Sequence, residues 1–237
     1  MKKQSGEARR LDILETTCEV VIERGFAGTR IADVAERLQV SKSLIHYHFD
    51  SKEALLAAAF EHYARKDVAE MLADIESAPT NIERIARLLE NYVPEGSDDV
   101  EWKLWIDAWG EALRNPLMKR ISQQLDEQSN ALLEDLIVAG NEAGEFGCPD
   151  PAASAQRITA VIDGLAIQYA AHDGLLTRAG LLGSVLRIAS AELGVTVTPS
   201  SDLAAGSDTV GPLASPEARI RWCPVCGSGH ICGHTRP

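Results

Sequence analysis

The sequence predicts an all-α protein, and three observations lead to that fold class. Apolar residues recur three and four positions apart along most of the chain up to Gly194, strand-like alternation is scarce, and Pro and Gly stand mostly at the edges of these stretches. With 237 residues and 45% apolar content, the chain can bury one large core or two small ones. We expect a first domain over 1–52, a helical bundle over 53–194, a flexible linker over 195–222 and a tail over 223–237.

The first helix is predicted from Arg9 to Arg24, with Gly25 as its C-terminal stop. Its apolar stripe consists of Ile13, Leu14, Thr17, Cys18, Val21 and Ile22. We expect Thr29 to cap a short second helix that ends near Leu38.

Two serines open the next two helices. Ser41 is expected to cap a third helix through about His48, and Ser51 a fourth that begins at Lys52 and reaches about Ile75. Two short helices joined by a tight connection, the second opened by a serine cap, have the spacing of a helix-turn-helix. The second helix of that motif enters the major groove of DNA and places its N-terminal residues against base edges.

The third helix therefore carries the candidate DNA contacts. Ser41, Lys42 and Ser43 would lie where the helix meets DNA, whereas Ile45 and Phe49 would face the small core. The alternative is that these are ordinary short helices of an all-α protein that does not bind DNA.

The charge distribution favours a nucleic-acid contact at the N-terminal end. The formal net charge is −12, but residues 1–66 carry a net +1 and the remainder a net −13. Only the first part of the chain is therefore free to approach a polyanion.

Further helices follow in the second domain. They are expected over Ile82–Tyr92, Val100–Leu113, Pro116–Glu142, Pro151–Ala171 and Thr177–Leu193. Asn115 and Pro116 are the residue types of a cap and a first helical position. The last two helices are rich in small and aliphatic residues, which allows close approach of neighbouring helices.

Three of the four tryptophans lie in the stretch EWKLWIDAWGEAL. Trp102, Trp105 and Trp109 recur at i, i+3 and i+7, so the three indoles share one helix face. They would either fill ordinary core or line a pocket for an aromatic or cationic ligand, such as a quaternary ammonium held by their π faces.

Other residues are candidates for the same pocket. Asp163 lies inside an apolar helix, where a buried carboxylate is costly unless it is paired. Asp163 would therefore belong to a helix contact, a dimer seam or the pocket. The remaining candidates are Tyr92, Gln168 and Tyr169.

The composition changes after Leu193, and a Ser, Thr, Gly and Pro-rich stretch leads to RWCPVCGSGHICGHTRP. Zn²⁺ takes four nitrogen or sulfur ligands, and five candidates are present: Cys223, Cys226, His230, Cys232 and His234. Three interpretations stay open: a site for zinc or another thiophilic metal, a disordered tail with reactive thiols, and an inert tail. DNA binding itself is expected to need no cofactor.

The N-terminal residues have no apolar run behind their basic start, and the longest apolar stretch, Ala54–Phe60, is far shorter than a membrane span. We therefore expect a cytoplasmic protein without a membrane partner. No Ser/His/Asp order, phosphate loop or plausible acid pair is visible, so an enzyme is not expected.

The segment GFAGTRIADVAERLQVSKSLIHYHFDSKEALL resembles the DNA-binding region of the TetR family of transcriptional regulators. The shared features are the Gly–Phe turn, Thr29, Val34-Ala35, Val40-Ser41-Lys42, the aromatic run that ends in Phe49, and Ser51-Lys52-Glu53. This resemblance covers about residues 9–56. It implies a homodimer with a three-helix DNA-binding domain and a larger helical ligand domain, and in most members a repressor that a small molecule releases from DNA.

The resemblance also implies roles for single residues. Thr29 and Arg30 would contact phosphate, Ser41, Lys42, Ser43 and Leu44 would face the groove, and Tyr47 and Lys52 would hold the DNA backbone. His46 stands where the family usually has Tyr, and an imidazole can still donate a hydrogen bond there. Leu44 would either meet a thymine methyl or be tolerated at the edge.

The second domain is less tightly matched. IDGLAIQY near Ile162, together with the Trp-rich stretch, resembles the C-terminal domain of the choline-responsive branch. We therefore predict a ligand-released repressor that binds an inverted-repeat operator as a homodimer. The alternative is a metal- or redox-responsive regulator that senses through the Cys/His tail.

Overall fold

The computed structural model describes residues 6–199, apart from the side chains of residues 67, 69 and 70. Within that range the chain is helical and has no strand, as the sequence predicts. The helices are α1 (Gly6–Gly28), α2 (Ile31–Arg37), α3 (Lys42–His48), α4 (Lys52–Glu76), α5 (Asn81–Tyr92), α6 (Val100–Ala112), α7 (Pro116–Glu142), α8 (Pro151–Ala171) and α9 (Arg178–Leu193).

Polar side chains fix where most of these helices begin. A side-chain oxygen accepts a backbone amide of the first turn at Ser41, Ser51, Thr80, Asp99, Asn115, Asp150 and Thr177. Each such bond satisfies an amide that has no partner inside its own helix. The caps predicted at Ser41, Ser51 and Asn115 are confirmed.

Thr29 was expected to cap α2, and that prediction is wrong. The N-cap position belongs to Arg30, whose backbone amide donates to the Asp33 carboxylate at 3.0 Å. Thr29 is only 1% exposed and donates its hydroxyl to the Gly25 carbonyl oxygen at 2.8 Å. Gly25 breaks α1 with a left-handed φ of 72°, as its predicted role as a stop requires.

Three apolar clusters lie along the molecule. The first cluster joins α1, α2 and α3 and contains Ile13, Val34, Ile45 and Phe49. The second lies between α1, α4, α6 and α7 and contains Phe26, Phe60, Leu104 and Met118. The third lies among α5, α7, α8 and α9 and contains Leu88, Leu133, Ile158 and Val185. We call α1–α3 the head and α5–α9 the body.

Helix α4 contributes side chains to all three clusters. Leu55 packs in the first cluster, Phe60 in the second and Ile75 in the third. With 25 residues the helix is about 38 Å long. Helix α4 therefore connects the head to the body as one uninterrupted helix.

The predicted linker begins too early. Val197 is 4% exposed, belongs to the third cluster and donates its amide to the Ser190 hydroxyl at 2.9 Å. Residues 195–197 therefore pack on the body. Thr198 and Pro199 are exposed, and residues 200–222 of the predicted linker lie outside the described residues.

Candidate nucleic-acid interface and ligand cavity

Helix α3 presents a polar face on the head. Ile45 is fully buried beneath it, and Phe49 ends the helix inside the first cluster with the Arg10 guanidinium 5.0 Å from its ring centre. Exposed side chains of the opposite face are Ser41, Lys42, Ser43, His46 and Tyr47. This set is the α3 face.

The α3 face is held by local bonds. The Ser41 hydroxyl accepts the Leu44 amide at 3.3 Å and lies 2.8 Å from the Ser43 hydroxyl. Tyr47 is 81% exposed, and its ring packs edge-on against His48 with centroids 5.1 Å apart. Leu44 is half-buried at the margin of the face. An exposed tyrosine and lysine beside two hydroxyls suit phosphate and base-edge contacts.

The connection before α3 is tight. Gln39 adopts a left-handed φ of 55°, and the Val40 amide donates to the Ala35 carbonyl oxygen at 2.9 Å. Ion pairs between Arg24 and Asp33 at 2.8 Å and between Arg37 and Glu23 fasten α2 to α1. Helix α2, which supports α3, is therefore held against α1 by both apolar and ionic contacts.

The remaining predicted DNA contacts border this face. Arg30 is exposed at the start of α2. Lys52 is the first residue of α4, and its ammonium group lies 3.4 Å from the Ala27 carbonyl oxygen. Thr29 differs from the expectation, because its buried hydroxyl is bonded to the turn and its side chain is not available to phosphate.

A cavity of about 370 Å³ lies within the body and is bordered by α4, α5, α6, α7 and α8. Its volume falls in the range of small-molecule pockets. Five predicted ligand-binding residues line it: Tyr92, Trp102, Trp105, Trp109 and Asp163. Gln168 is exposed and Tyr169 packs against the third apolar cluster, and neither lines the cavity.

The three indoles form one wall of the cavity. The ring centroids of Trp102 and Trp109 are 6.2 Å apart, and those of Trp105 and Trp109 are 5.8 Å apart. The Trp102 indole donates to the Tyr92 carbonyl oxygen at 3.2 Å, which fixes that ring against α5. Such a wall offers several π faces to one ligand.

Two buried carboxylates line the same cavity as the three indoles. Burial raises the pKa of Asp126 to about 6, although a hydrogen bond from the Trp109 side chain opposes the shift. Burial and the nearby Asp126 raise the pKa of Asp163 to about 6. Among the described residues that line the cavity, none is Lys, Arg or His. A positively charged ligand would therefore stabilise both ionised forms.

The polar side chains of α7 that line the cavity were not predicted from the sequence. Asp126, Ser129 and Asn130 line the cavity at i, i+3 and i+4, and the Asn130 amide oxygen accepts from the Thr159 hydroxyl at 2.6 Å. Their helical spacing was visible in the sequence, but a solvated helix face has the same pattern.

In the described part of the chain, no cluster of His, Cys, Asp and Glu has the arrangement of a metal site. The predicted metal ligands Cys223, Cys226, His230, Cys232 and His234 lie outside the described residues. None of the helices over residues 6–199 has the length and apolar character that crossing a bilayer requires.

Two family models match the chain. The model described as bacterial regulatory proteins of the tetR family matches residues 13–59, which contain α2 and α3. The model described as the C-terminal part of BetI-type transcriptional repressors matches residues 81–194, which span α5–α9.

Relatives agree with these matches. The HTH-type transcriptional regulator BetI of Burkholderia cenocepacia (strain HI2424) is 28% identical over 190 residues, which cover 74% of this chain and 89% of that protein. BetI of Paraburkholderia xenovorans (strain LB400) is 26% identical over 173 residues, which cover 67% and 80%.

Solved structures show the same fold. A transcriptional regulator from Saccharomonospora viridis in complex with choline has a TM-score of 0.67 and 28% identity, with 76% of this chain and 94% of that chain covered. A TetR-family regulator from Cytophaga hutchinsonii has a TM-score of 0.70 and 23% identity, with coverage of 83% and 100%. These relatives regulate transcription and are not enzymes, as the sequence predicts. The chain belongs to the TetR family of transcriptional regulators, with a helix-turn-helix head and a C-terminal domain of the BetI type.

Proposed function

We propose that this regulator is a homodimeric repressor that binds an inverted-repeat operator. A small organic cation, with choline as the reference compound, would release it from the DNA. The cavity of the body would bind the cation, and the α3 face would bind the operator. The observation that carries the proposal is that three indoles and the carboxylates of Asp126 and Asp163 line one cavity.

The chemistry of the cavity supports a permanent cation. A quaternary ammonium cannot donate a hydrogen bond, so it is recognised by π faces and by negative charge rather than by oriented acceptors. Each cation–π contact contributes about 0.5–2 kcal/mol, depending on desolvation. The S. viridis relative, solved with choline, is consistent with this ligand class.

The same cavity disfavours zwitterions with the same head group. A carboxylate on the ligand would meet five lining carboxylates and no lining cation among the described residues: Glu95, Asp99, Glu101, Asp126 and Asp163. Like charges at short range in a partly buried site cost free energy. Choline should therefore bind much more tightly than N,N,N-trimethylglycine.

The proposed dimer explains how two α3 faces would reach one operator. Two recognition helices about 34–36 Å apart meet successive major grooves on one side of B-DNA. Members of the TetR family commonly form their dimer contact with the last two helices, which in this chain are α8 and α9. Exposed Ile167 and Ile188 on these helices supply apolar surface that a partner could cover.

The test selects an operator from random duplexes with the purified full-length protein and then measures operator binding by fluorescence anisotropy. Choline should release the DNA, and trimethylglycine at the same concentration should not. Trp fluorescence should report choline binding in the absence of DNA. If choline changes neither signal, the cavity does not serve a choline-like effector.

The metal- or redox-responsive alternative has a separate test. In a Cys223→Ser, Cys226→Ser variant, the proposed cavity mechanism leaves choline-induced release unchanged. Loss of release in that variant would assign sensing to the tail.

A further inference from the structure

One side chain of α6 is bonded to the main chain of the head. The Asp107 carboxylate accepts from the Phe26 backbone amide at 2.7 Å, between residues 81 positions apart in the sequence. Hydrogen bonds to an ionised acceptor are stronger than those between neutral groups. This bond joins α6 of the body directly to the end of α1.

The bond lies at a turn that sets the direction of α2. Gly25 has a φ of 72°, and a Cβ atom built there would lie 3.0 Å from Asp107 Oδ2. The Gly25 carbonyl oxygen accepts both the amide and the hydroxyl of Thr29, at 3.1 and 2.8 Å. Arg30, the next residue, is the N-cap of α2. A displacement of the turn would therefore move the start of the helix that braces α3.

The same helix carries the aromatic wall of the ligand cavity. Trp105 lines the cavity, whereas Asp107, two residues later, does not. The Trp105 ring also packs against Phe60 with centroids 4.9 Å apart, and Phe60 packs against Phe26 at 6.0 Å. Helix α6 is therefore linked to Phe26 in two ways: through the ring contacts from Trp105 by way of Phe60, and through the hydrogen bond from the Phe26 amide to Asp107.

The contact between α1 and α6 has room for a second arrangement. A cavity of about 140 Å³ borders the bond and is lined by residues of both helices, including Ile22, Gly25, Leu104 and Asp107. Packed interfaces shift between discrete arrangements and do not deform gradually, and the free volume beside this contact leaves space for such a shift.

We propose that Asp107 is the positioning residue that couples occupancy of the cavity to the DNA-binding head. A ligand that displaces the indole face of α6 moves Asp107 with the helix, and Asp107 moves the Gly25–Phe26 turn and α2. This inference rests on the proposed function. The effector shifts the head only as far as it binds the two positions of α6 with different affinity.

The experiment compares Asp107→Ala, Asp107→Asn and the wild type. The measured quantity is the ratio of the operator Kd with saturating choline to the Kd without it, which is about 5–150 for typical couplings. Asp107→Ala should bring this ratio to within about twofold of unity, while Trp fluorescence shows choline binding retained. Asp107→Asn keeps an oxygen acceptor for the Phe26 amide and should restore most of the ratio.

A matched control lies one helical turn further on. The Glu111 carboxylate accepts a hydrogen bond from Arg114, just beyond the end of α6, and makes no bond to the head among the described contacts, so Glu111→Ala should leave the ratio unchanged. Gly25→Ala approaches the coupling from the head. A side chain at a φ of 72° strains the turn and its methyl group would lie 3.0 Å from Asp107 Oδ2, so the variant should lower the ratio even if Asp107→Ala does not fold.

The outcomes separate the two proposals. A wild-type ratio of one overturns the proposed function, and with it this coupling. If the wild type has a normal ratio and folded Asp107→Ala keeps it, the role of Asp107 alone is overturned. If Asp107→Ala is unfolded, an unchanged ratio in Gly25→Ala overturns that role instead.

Discussion

At the scale of single residues, Asp126 and Asp163 connect the structure most directly to ligand chemistry. Burial raises the pKa of both groups to about 6, above the usual value for an aspartate. Because the folded-state pKa lies above the unfolded value, the folded protein binds more protons between about pH 4 and 6. These two groups therefore lower the free energy of unfolding as pH rises through that window, and a bound cation offsets that cost.

The affinity for choline should depend on pH with a definite sign. Binding should be strongest above about pH 7, where both carboxylates are ionised, and should weaken as pH falls through 6. Choline keeps its charge throughout, so the change would come from the protein. Trp fluorescence titrations between pH 5 and 8 measure it. Asp163→Asn should bind more weakly at pH 7.5 and show a smaller pH dependence; an unchanged profile would contradict the assignment.

The α3 face gives the corresponding prediction for DNA. Lys42→Ala should weaken operator binding by about 1–3 kcal/mol if the side chain reads a base edge, or reduce the salt dependence if it contacts phosphate. Lys119→Ala, an exposed lysine of α7, is the control and should change neither quantity. Anisotropy titrations at several salt concentrations distinguish these outcomes, and wild-type binding by Lys42→Ala would contradict the docking.

Some residues of the cavity could be predicted from the sequence and others could not, for physical reasons. The tryptophans share a helix face because of their spacing, and Asp163 stood out as a charge within an apolar helix. Asp126 and Asn130 gave no such signal, because tertiary packing alone decides whether a polar helix face meets solvent or a cavity.

At the scale of elements, the caps and apolar periods predicted the helix order and most bounds within two residues. The error at Thr29 has a local cause: its hydroxyl bonds to the Gly25 carbonyl oxygen, and the Asp33 carboxylate accepts the Arg30 amide that opens α2. The left-handed Gln39 was equally hidden, since glutamine carries no preference for that conformation.

The packing of α7 gives a prediction with a matched control. A Cβ at Gly140 would lie 2.0 Å from the Phe146 ring, so Gly140→Ala should lower the free energy of unfolding by about 1–3 kcal/mol. A Cβ at Gly110, inside α6, would meet nothing within 4 Å, and Gly110→Ala should raise it by about 0.5–1 kcal/mol. Urea denaturation measures both, and equal effects would contradict the packing around Phe146.

At the scale of the whole molecule, the charge asymmetry of the sequence agrees with the arrangement of the fold. The near-neutral first 66 residues form the head and part of α4, and the acidic remainder contains the rest of α4 and the whole body. The body would be repelled by DNA, so binding should be confined to the head.

Dimerisation is the whole-molecule prediction. Light scattering should give about 51 kDa, twice the 25.6 kDa of one chain. Introducing charges with Ile167→Glu and Ile188→Glu should yield monomers and abolish tight operator binding, because a single head makes half the contacts. Leu113→Glu, at an 86% exposed position of the α6–α7 turn, is the control and should stay dimeric. A dimeric double variant would place the contact elsewhere.

The most direct test of the central claim is a nuclease footprint of the full-length protein on DNA flanking its own gene, with and without choline. A dimeric repressor released by choline should protect two half-sites about one helical turn apart, and salt should weaken this protection and choline should abolish it. Protection without sequence preference, or protection that choline does not change, would contradict it.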